Sequence, residues 1–496
     1  MNYRLLLRYL GVFLLALALP LAVSALWAVW YGEWRSLESF LRTIVLTVGG
    51  GFTLWGVGRG ARVRVYEREG LALVALGWLL IAGVSALPYV FAGLMDPSSA
   101  YFESMSGYTT TGASVLVEVE PVDKSLLFWR ATTHWLGGMG IIVLIVAVLP
   151  SLGAGGKQLY RSEVPGVDKT GLLPRMQDTA AMLYKIYLGM TIVQTACLVA
   201  AGMSLFDALC HTFASLSTGG FSTRTASIGA YDSLPIEIIV TVFTVLCGAN
   251  FGLYFAMLHG DWKAPLRSTE FRWYLGILLA ATLLITVNLM GVQGAIPEDP
   301  GAGTHDVRYG FGHALRVAAF QVGTIMTTTG FATDNTDLWP YFSRAVLIAL
   351  MIVGACSGST AGGTKVFRVA LIAKIVRSQL ERLYRPKTVR AVRMNGAAVP
   401  LEVQLTVYTF FAMHVAVLVV GTMFMSLLGL PFQTAFSSVV ATVNNIGPGM
   451  ELVGSTANYA CVPAAGKWFL SLLMVIGRLE FFSICVLFLP SFWRRA

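Results

Sequence analysis

Four short stretches of this chain carry residues suited to chemistry without charge. They read YTTTGAS (108–114), LSTGGFST (216–223), MTTTGFAT (326–333) and VNNIGPGM (443–450). Glycine lets the backbone adopt conformations that a Cβ forbids, and Ser and Thr add hydroxyls. Carbonyls and hydroxyls turned toward one axis can replace the hydration shell of a monovalent cation. None of the four stretches contains Asp or Glu. A neutral ring binds weakly enough to release the ion, whereas carboxylate rings suit divalent ions better. One such cluster would be an ordinary loop; four at matching positions between apolar runs are not.

The matching is in the spacing. Gly112, Gly220, Gly330 and Gly447 stand 108, 110 and 117 residues apart. Each cluster follows a semi-apolar segment too short to span a bilayer, at 98–109, 206–217, 312–326 and 431–443. A fixed period with one order of elements is an internal repeat. Each unit reads as a half-helix that descends and an extended loop that returns. Such backbone is allowed at membrane depth only when buried in protein or lining a water-filled path.

Composition says what must position these loops. Of 496 residues, 56% are apolar and 12% charged, about half the roughly 25% charged share of soluble domains. That excludes a soluble enzyme, a disordered chain and a nucleic-acid-binding domain, despite the net charge of +9. Continuous apolar runs also exclude a β-barrel, whose strands would alternate. The runs fall at 10–30, 37–57, 71–93, 127–150, 180–205, 236–258, 273–291, 344–364, 403–428 and 467–490, each long enough for a spanning helix. A signal peptide is the alternative for the first, but that run continues through Trp27 and Trp30, which suit an interface anchor.

The expected fold is therefore an all-α polytopic membrane protein. Four pseudo-repeats of helix, pore loop and helix surround one central pore, with two extra N-terminal transmembrane helices. The divisions are 1–57 for the helix pair, then 58–150, 151–258, 259–376 and 377–496 for the repeats. Most of the 35 Lys and Arg fall in 1–9, 58–70, 151–180, 259–272, 365–400 and 491–496. The positive-inside rule puts those segments and both termini in the cytoplasm. The outer side is acid-rich, which would raise the local concentration of cations.

Three further features stand out. GACSGSTAGGTKVFR (354–368) interrupts the outgoing helix of the third repeat with small residues, poor helix chemistry; its bland reading is a small-residue packing face. Arg478, in MVIGRLEFF, is a charge within the last apolar run, and Glu480 lies two residues on, off its helical face. Segment 365–393 holds nine Lys and Arg and one acid, Glu381, reading as a contact for anionic lipid, a docking surface, or both. Glu103, Asp207 and His211 read as packing and capping groups rather than a proton relay, and His134 and His414 as isolated packing residues. The six cysteines have no CxxC spacing and read as buried small residues. No zinc-ligand spacing, GxSxG, Walker loop or GxGxxG is present, so no catalytic residue and no organic cofactor is expected.

SGYTTTGASVL, LSTGGFSTR, TTTGFATDN and NNIGPG resemble the four filter loops of the Trk/Ktr/HKT superfamily of potassium transporters. The extra helix pair is similar to its TrkH/TrkG branch rather than to KtrB. The resemblance implies a potassium-selective filter at Thr110, Thr111 and Gly112; Thr218, Gly219 and Gly220; Thr328, Thr329 and Gly330; and Asn445, Ile446 and Gly447, with K+ bound there. Adjacent glycines leave the second loop's register open, and Gly220 is aligned because Gly220-Phe221 then matches Gly330-Phe331. The resemblance further implies an intramembrane gate at Gly354, Gly358, Gly362, Gly363 and Lys365, with Arg478 facing the path beneath the filter. It implies a homodimer in a bacterial-type inner membrane, with a cytosolic TrkA-like nucleotide-binding regulatory subunit and no nucleic-acid partner. Against this channel-like potassium uptake stands a symporter coupled to Na+ or H+, for which Glu480 is the clear intramembrane carboxylate.

Overall fold

The computed structural model describes residues 1–60, 67–140, 176–290, 293–295, 306–385 and 391–493. The first two apolar runs form helices Tyr3–Tyr31 and Trp34–Val57. Gly32, at φ 71°, closes the first with its N–H on the Ala28 and Val29 carbonyls. The pair packs where side chains are smallest: a Cβ on Gly11 would lie 2.6 Å from the Gly51 oxygen. Small residues let backbones approach where lipid supplies no hydrophobic drive between helices. The pair rests against the ingoing and outgoing helices of the first repeat.

Each repeat has an ingoing helix, a short helix and an outgoing helix. In order these are Glu67–Ser85, Pro97–Tyr108 and Lys124–Gly138; Met176–Ala200, Leu205–Leu216 and Leu234–Cys247; Thr269–Met290, Phe311–Met326 and Tyr341–Val353; and Leu401–Leu427, Phe432–Val443 and Ala464–Arg478. Every short helix packs between the outgoing helix of its own repeat and that of the preceding repeat. The last outgoing helix closes the series on the first short helix. The four repeats thus form a closed ring. Nearly all of residues 434–443 are buried, whereas Leu401–Leu427 exposes Val415, Val419, Val420 and Met423. Hydroxyl-rich short helices need protein around them; aliphatic ingoing helices present lipid-facing sides.

Ten continuous spans were the expectation, and the outgoing helices depart from it. Among the described residues six helices are long and apolar enough to cross a membrane, or eight if each of two bent pairs is one span. Leu234–Cys247 and Phe251–Leu258 meet at 91°, and Ala464–Arg478 and Phe482–Phe488 at 118°. The third outgoing helix stops at Val353 and resumes only at Val366. The first ends at Gly138; residues 141–150 of its apolar run lie outside the described residues. Hydropathy registers only that each run is apolar. The breaks fall where extended Asn250, Gly354 at positive φ, or left-handed Glu480 and Phe481 leave helical backbone. Two small antiparallel ladders, Gln293–Ala295 with Asp306–Arg308 and Arg393–Met394 with Ala397–Ala398, join helices outside this ring.

Candidate functional site

The four clusters meet. A Cβ on Gly112 would fall onto the Gly219 oxygen, one on Gly220 onto that of Thr329, and one on Gly330 onto that of Ile446. A Cβ on Gly447 would lie 2.7 Å from the Thr111 oxygen. Each glycine therefore abuts the residue preceding the next glycine, and the succession closes on itself. All four glycines line one cavity.

The local geometry repeats as well. Thr110, Thr218, Thr328 and Asn445 are left-handed, with φ of 52°, 56°, 59° and 54°. Gly112, Gly220, Gly330 and Gly447 are left-handed too, with φ of 81°, 83°, 79° and 95°; the residues between them are not. The amides of these intervening residues, Thr111, Gly219, Thr329 and Ile446, each reach back to a short-helix carbonyl five residues earlier, at 2.7–3.0 Å. This is the Schellman closure, normally built on glycine. Three β-branched threonines hold the left-handed position, at a cost of about 1–3 kcal/mol each. Gly220, not Gly219, is the geometric counterpart of the other three glycines.

Ion pairs and hydrogen bonds brace the ring from outside. Glu103 on the first short helix takes Arg130 Nε at 2.6 Å and the Ser114 hydroxyl and Val115 amide at 3.0 and 2.9 Å. Arg130 also donates to the Ser222 carbonyl at 3.0 Å. Asp207 takes the Thr223 hydroxyl at 2.6 Å, and His211 lies 2.9 Å from the Ser222 hydroxyl. Arg316 and Glu237 pair through two bonds of 2.6 and 2.7 Å. Tyr459 donates to the Gly447 carbonyl at 2.8 Å. Glu103, Asp207 and Glu237 are thus committed to holding loops and helices around the ring. At the rim, burial raises the Asp337 carboxyl above its ordinary pKa, opposed by the Glu451 amide and Arg344.

Beneath the ring lies the loop between Val353 and Val366. Gly354, Gly358, Gly363 and Lys365 are left-handed. The Gly362 amide donates to the Thr328 hydroxyl at 2.7 Å, and the Thr360 hydroxyl to the Leu216 carbonyl at 3.0 Å. A Cβ on Gly362 would fall onto the Asn444 oxygen. This loop therefore touches the second, third and fourth axial loops. Buried Lys365 donates to the Ala361 carbonyl, turning its ammonium back onto its own loop. Arg478 donates to the Thr360 carbonyl at 2.7 Å and to the Gly137 and Gly138 carbonyls at 2.8 and 3.2 Å. Glu480 pairs with Arg368. Gly363, Lys365, Arg478 and Glu480 line a cavity beside this loop.

The glycines expected at the filter, Gly112, Gly220, Gly330 and Gly447, meet in one ring; Gly354, Gly358, Gly362, Gly363 and Lys365 lie in the loop beneath it, and Arg478 reaches that loop from the last outgoing helix. Glu270 went unnoticed in the sequence: its Oε1 accepts the Ser357 amide at 2.6 Å and the Phe367 amide at 3.2 Å, clasping the loop near both ends. The only sequence signal was a carboxylate at the start of an apolar helix. The basic stretch forms helix Val366–Tyr384, with Lys374, Arg377 and Arg393 lining one groove; Lys387 and Arg390 lie outside the described residues.

Residues 68–495 match the TrkH family, described as cation transport protein. The chain is 37% identical over 498 residues to the Trk system potassium uptake protein TrkH of Salmonella typhimurium, covering 100% of both chains. It is 32% identical over 474 residues to the Trk system potassium uptake protein TrkG of Escherichia coli, covering 94% of both. The crystal structure of the potassium transporter TrkH from Vibrio parahaemolyticus is similar along its whole length, with a TM-score of 0.86, 34% identity and 100% of each chain covered.

Proposed function

Because the chain belongs to the TrkH family of cation transport proteins, we propose that it is an integral membrane protein for potassium uptake, and that the ion passes through the ring of four loops. The observation that carries this reading is the cyclic succession of Gly112, Gly220, Gly330 and Gly447. Left-handed residues on either side of Thr111, Gly219, Thr329 and Ile446 turn successive peptides so that neighbouring carbonyls share one side. Such carbonyls, with the Thr110, Thr218 and Thr328 hydroxyls, exchange for water around K+. The short helices end at the ring, and their C-terminal dipoles favour a cation there.

The loop carrying Gly354, Gly358, Gly362 and Gly363 is the gate. In the closed state it blocks the path, and opening shifts the population toward a retracted state. Lys365 and Arg478 hold it and place positive charge beneath the ring. The membrane potential drives uptake at about 2.3 kcal/mol per charge per 100 mV. The protein works as a homodimer in a bacterial-type inner membrane with both termini cytoplasmic. A TrkA-like nucleotide-binding subunit docks on the basic inner surface, which also meets anionic lipid. Glu480, the carboxylate a coupled carrier needs, is committed to Arg368, which supports the channel-like reading.

The experiment is rubidium-86 uptake into potassium-loaded liposomes, with and without excess sodium, for the parent and Gly112→Ser. Uptake that potassium but not sodium suppresses, with discrimination weakened in the variant, is expected. Flux requiring a sodium or proton gradient despite a favourable voltage would replace this reading with the symporter.

A further inference from the structure

Gly219 is the odd member of the ring. The residue between the two left-handed positions is Thr111, Thr329 and Ile446 in three loops and glycine in the second. Its own φ is not left-handed, so conformation does not require glycine there. Space does. A Cβ on Gly219 would fall onto His134 Nδ1 and stand 2.6 Å from its Cγ. The imidazole occupies the volume that a loop side chain would need.

His134 is fully buried, with the Ser106 backbone the polar group facing its ring. Aromatic packing holds it as well. Its ring stacks on Phe221, centroids 3.9 Å apart and planes 8° from parallel. The Arg130 guanidinium lies 3.5 Å from the centroid of the same ring. Two groups so near one ring need its two faces, so Phe221 is held between them. Arg130 and His134 lie four residues apart on the first outgoing helix, on one face. Glu103 fixes Arg130 in turn. The second loop is thus clamped by its neighbouring repeat on both sides of Gly220.

We propose that His134 is a positioning residue for ion discrimination: its ring stands in for the side chain Gly219 lacks and sets the position of the second loop's carbonyls. This rests on reading the four loops as the ion path. Discrimination depends on the number and orientation of carbonyls around the ion, and a void behind one loop frees its peptides to turn. The ring's volume and stacking do this, so a phenyl ring can replace the imidazole.

The test is rubidium-86 uptake by the reconstituted full-length protein, competed by potassium and by sodium. His134→Ala keeps flux but loses discrimination by about tenfold, the effect of a displaced core contact, while His134→Phe stays close to the parent. Gly219→Ala alone loses flux, and Gly219→Ala with His134→Ala recovers it. This exchange still decides the matter if His134→Ala folds poorly alone. Parent-like discrimination in His134→Ala beside altered discrimination in Gly112→Ser would overturn the inference, as would a double variant no better than Gly219→Ala. If Gly112→Ser also leaves discrimination unchanged, the ion-path reading falls and takes this inference with it.

Discussion

The Gly362 amide donates to the Thr328 hydroxyl at 2.7 Å, so the loop that breaks the third outgoing helix is bonded directly to the third axial loop. Retraction of that loop must leave a buried amide to find another partner, which costs about 1–3 kcal/mol. Thr328→Val removes this acceptor together with one hydroxyl proposed to meet the ion, so flux is read beside potassium-over-sodium competition. Rubidium flux without any cytosolic partner should rise by roughly tenfold, and Thr328→Ser, which keeps the hydroxyl, should not raise it. Equal flux in the two variants would sink the idea that this bond holds the gate.

Glu270 clasps both ends of the same loop through the Ser357 and Phe367 amides. Hydrogen bonds to a charged group contribute about 1.5–3 kcal/mol each. Glu270→Ala should raise flux more than Thr328→Val does, with ion discrimination unchanged, because the ring itself is untouched. A Glu270→Ala protein whose flux equals the parent's would mean that the clasp is not part of the gate.

Arg478 reaches three carbonyls, on Thr360, Gly137 and Gly138. Its planar fork suits that bridging, and an ammonium does not reproduce it. Both Arg478→Ala and Arg478→Lys should raise flux. Arg478→Lys should raise it less, since a positive charge still stands beneath the ring. Full retention of gating in Arg478→Lys would show that charge alone suffices.

Two glycine substitutions should part sharply. Gly330→Ala meets both a φ of 79° and the Ile446 oxygen, so flux should vanish or the protein should fail to assemble. Gly276 sits in a helix with nothing within 4 Å of a new Cβ, and Gly276→Ala should be neutral or stabilising by up to about 1 kcal/mol. Thermal unfolding in detergent together with rubidium flux would read both.

Asp96 caps the first short helix, accepting the Ser98 and Ser99 amides at 3.0 and 3.1 Å. Hydrogen bonding from Ser98 and then Ser99 holds its carboxyl well below the ordinary range. A lowered folded pKa means stability present above the unfolded pKa and lost as pH falls through the folded value. Asp96→Ala should cost about 1 kcal/mol at neutral pH, with the gap to the parent narrowing in strong acid. A gap that widens on acidification would contradict the sign.

The fold was legible because lipid imposes a simple rule: long apolar runs become helices, and glycine-rich polar clusters must be buried. The N-terminal pair, four short helices and four axial loops follow from that rule and the near-constant spacing of Gly112, Gly220, Gly330 and Gly447. The outgoing helices were less legible. Hydropathy averages over a run, so it carries extended Asn250 and left-handed Glu480 as though both were helical.

The sequence alone determined which residues form the ring and which form the loop beneath, because chemistry at fixed spacing marks both. Tertiary structure decided what each touches. That a Cβ on Gly219 would meet His134, that Glu270 clasps residues 87 and 97 positions away, and that Arg478 bridges the loop after Val353 to another repeat are contacts between distant segments. Local propensity and hydropathy contain no term for such distances, and only packing the four repeats around one axis sets them.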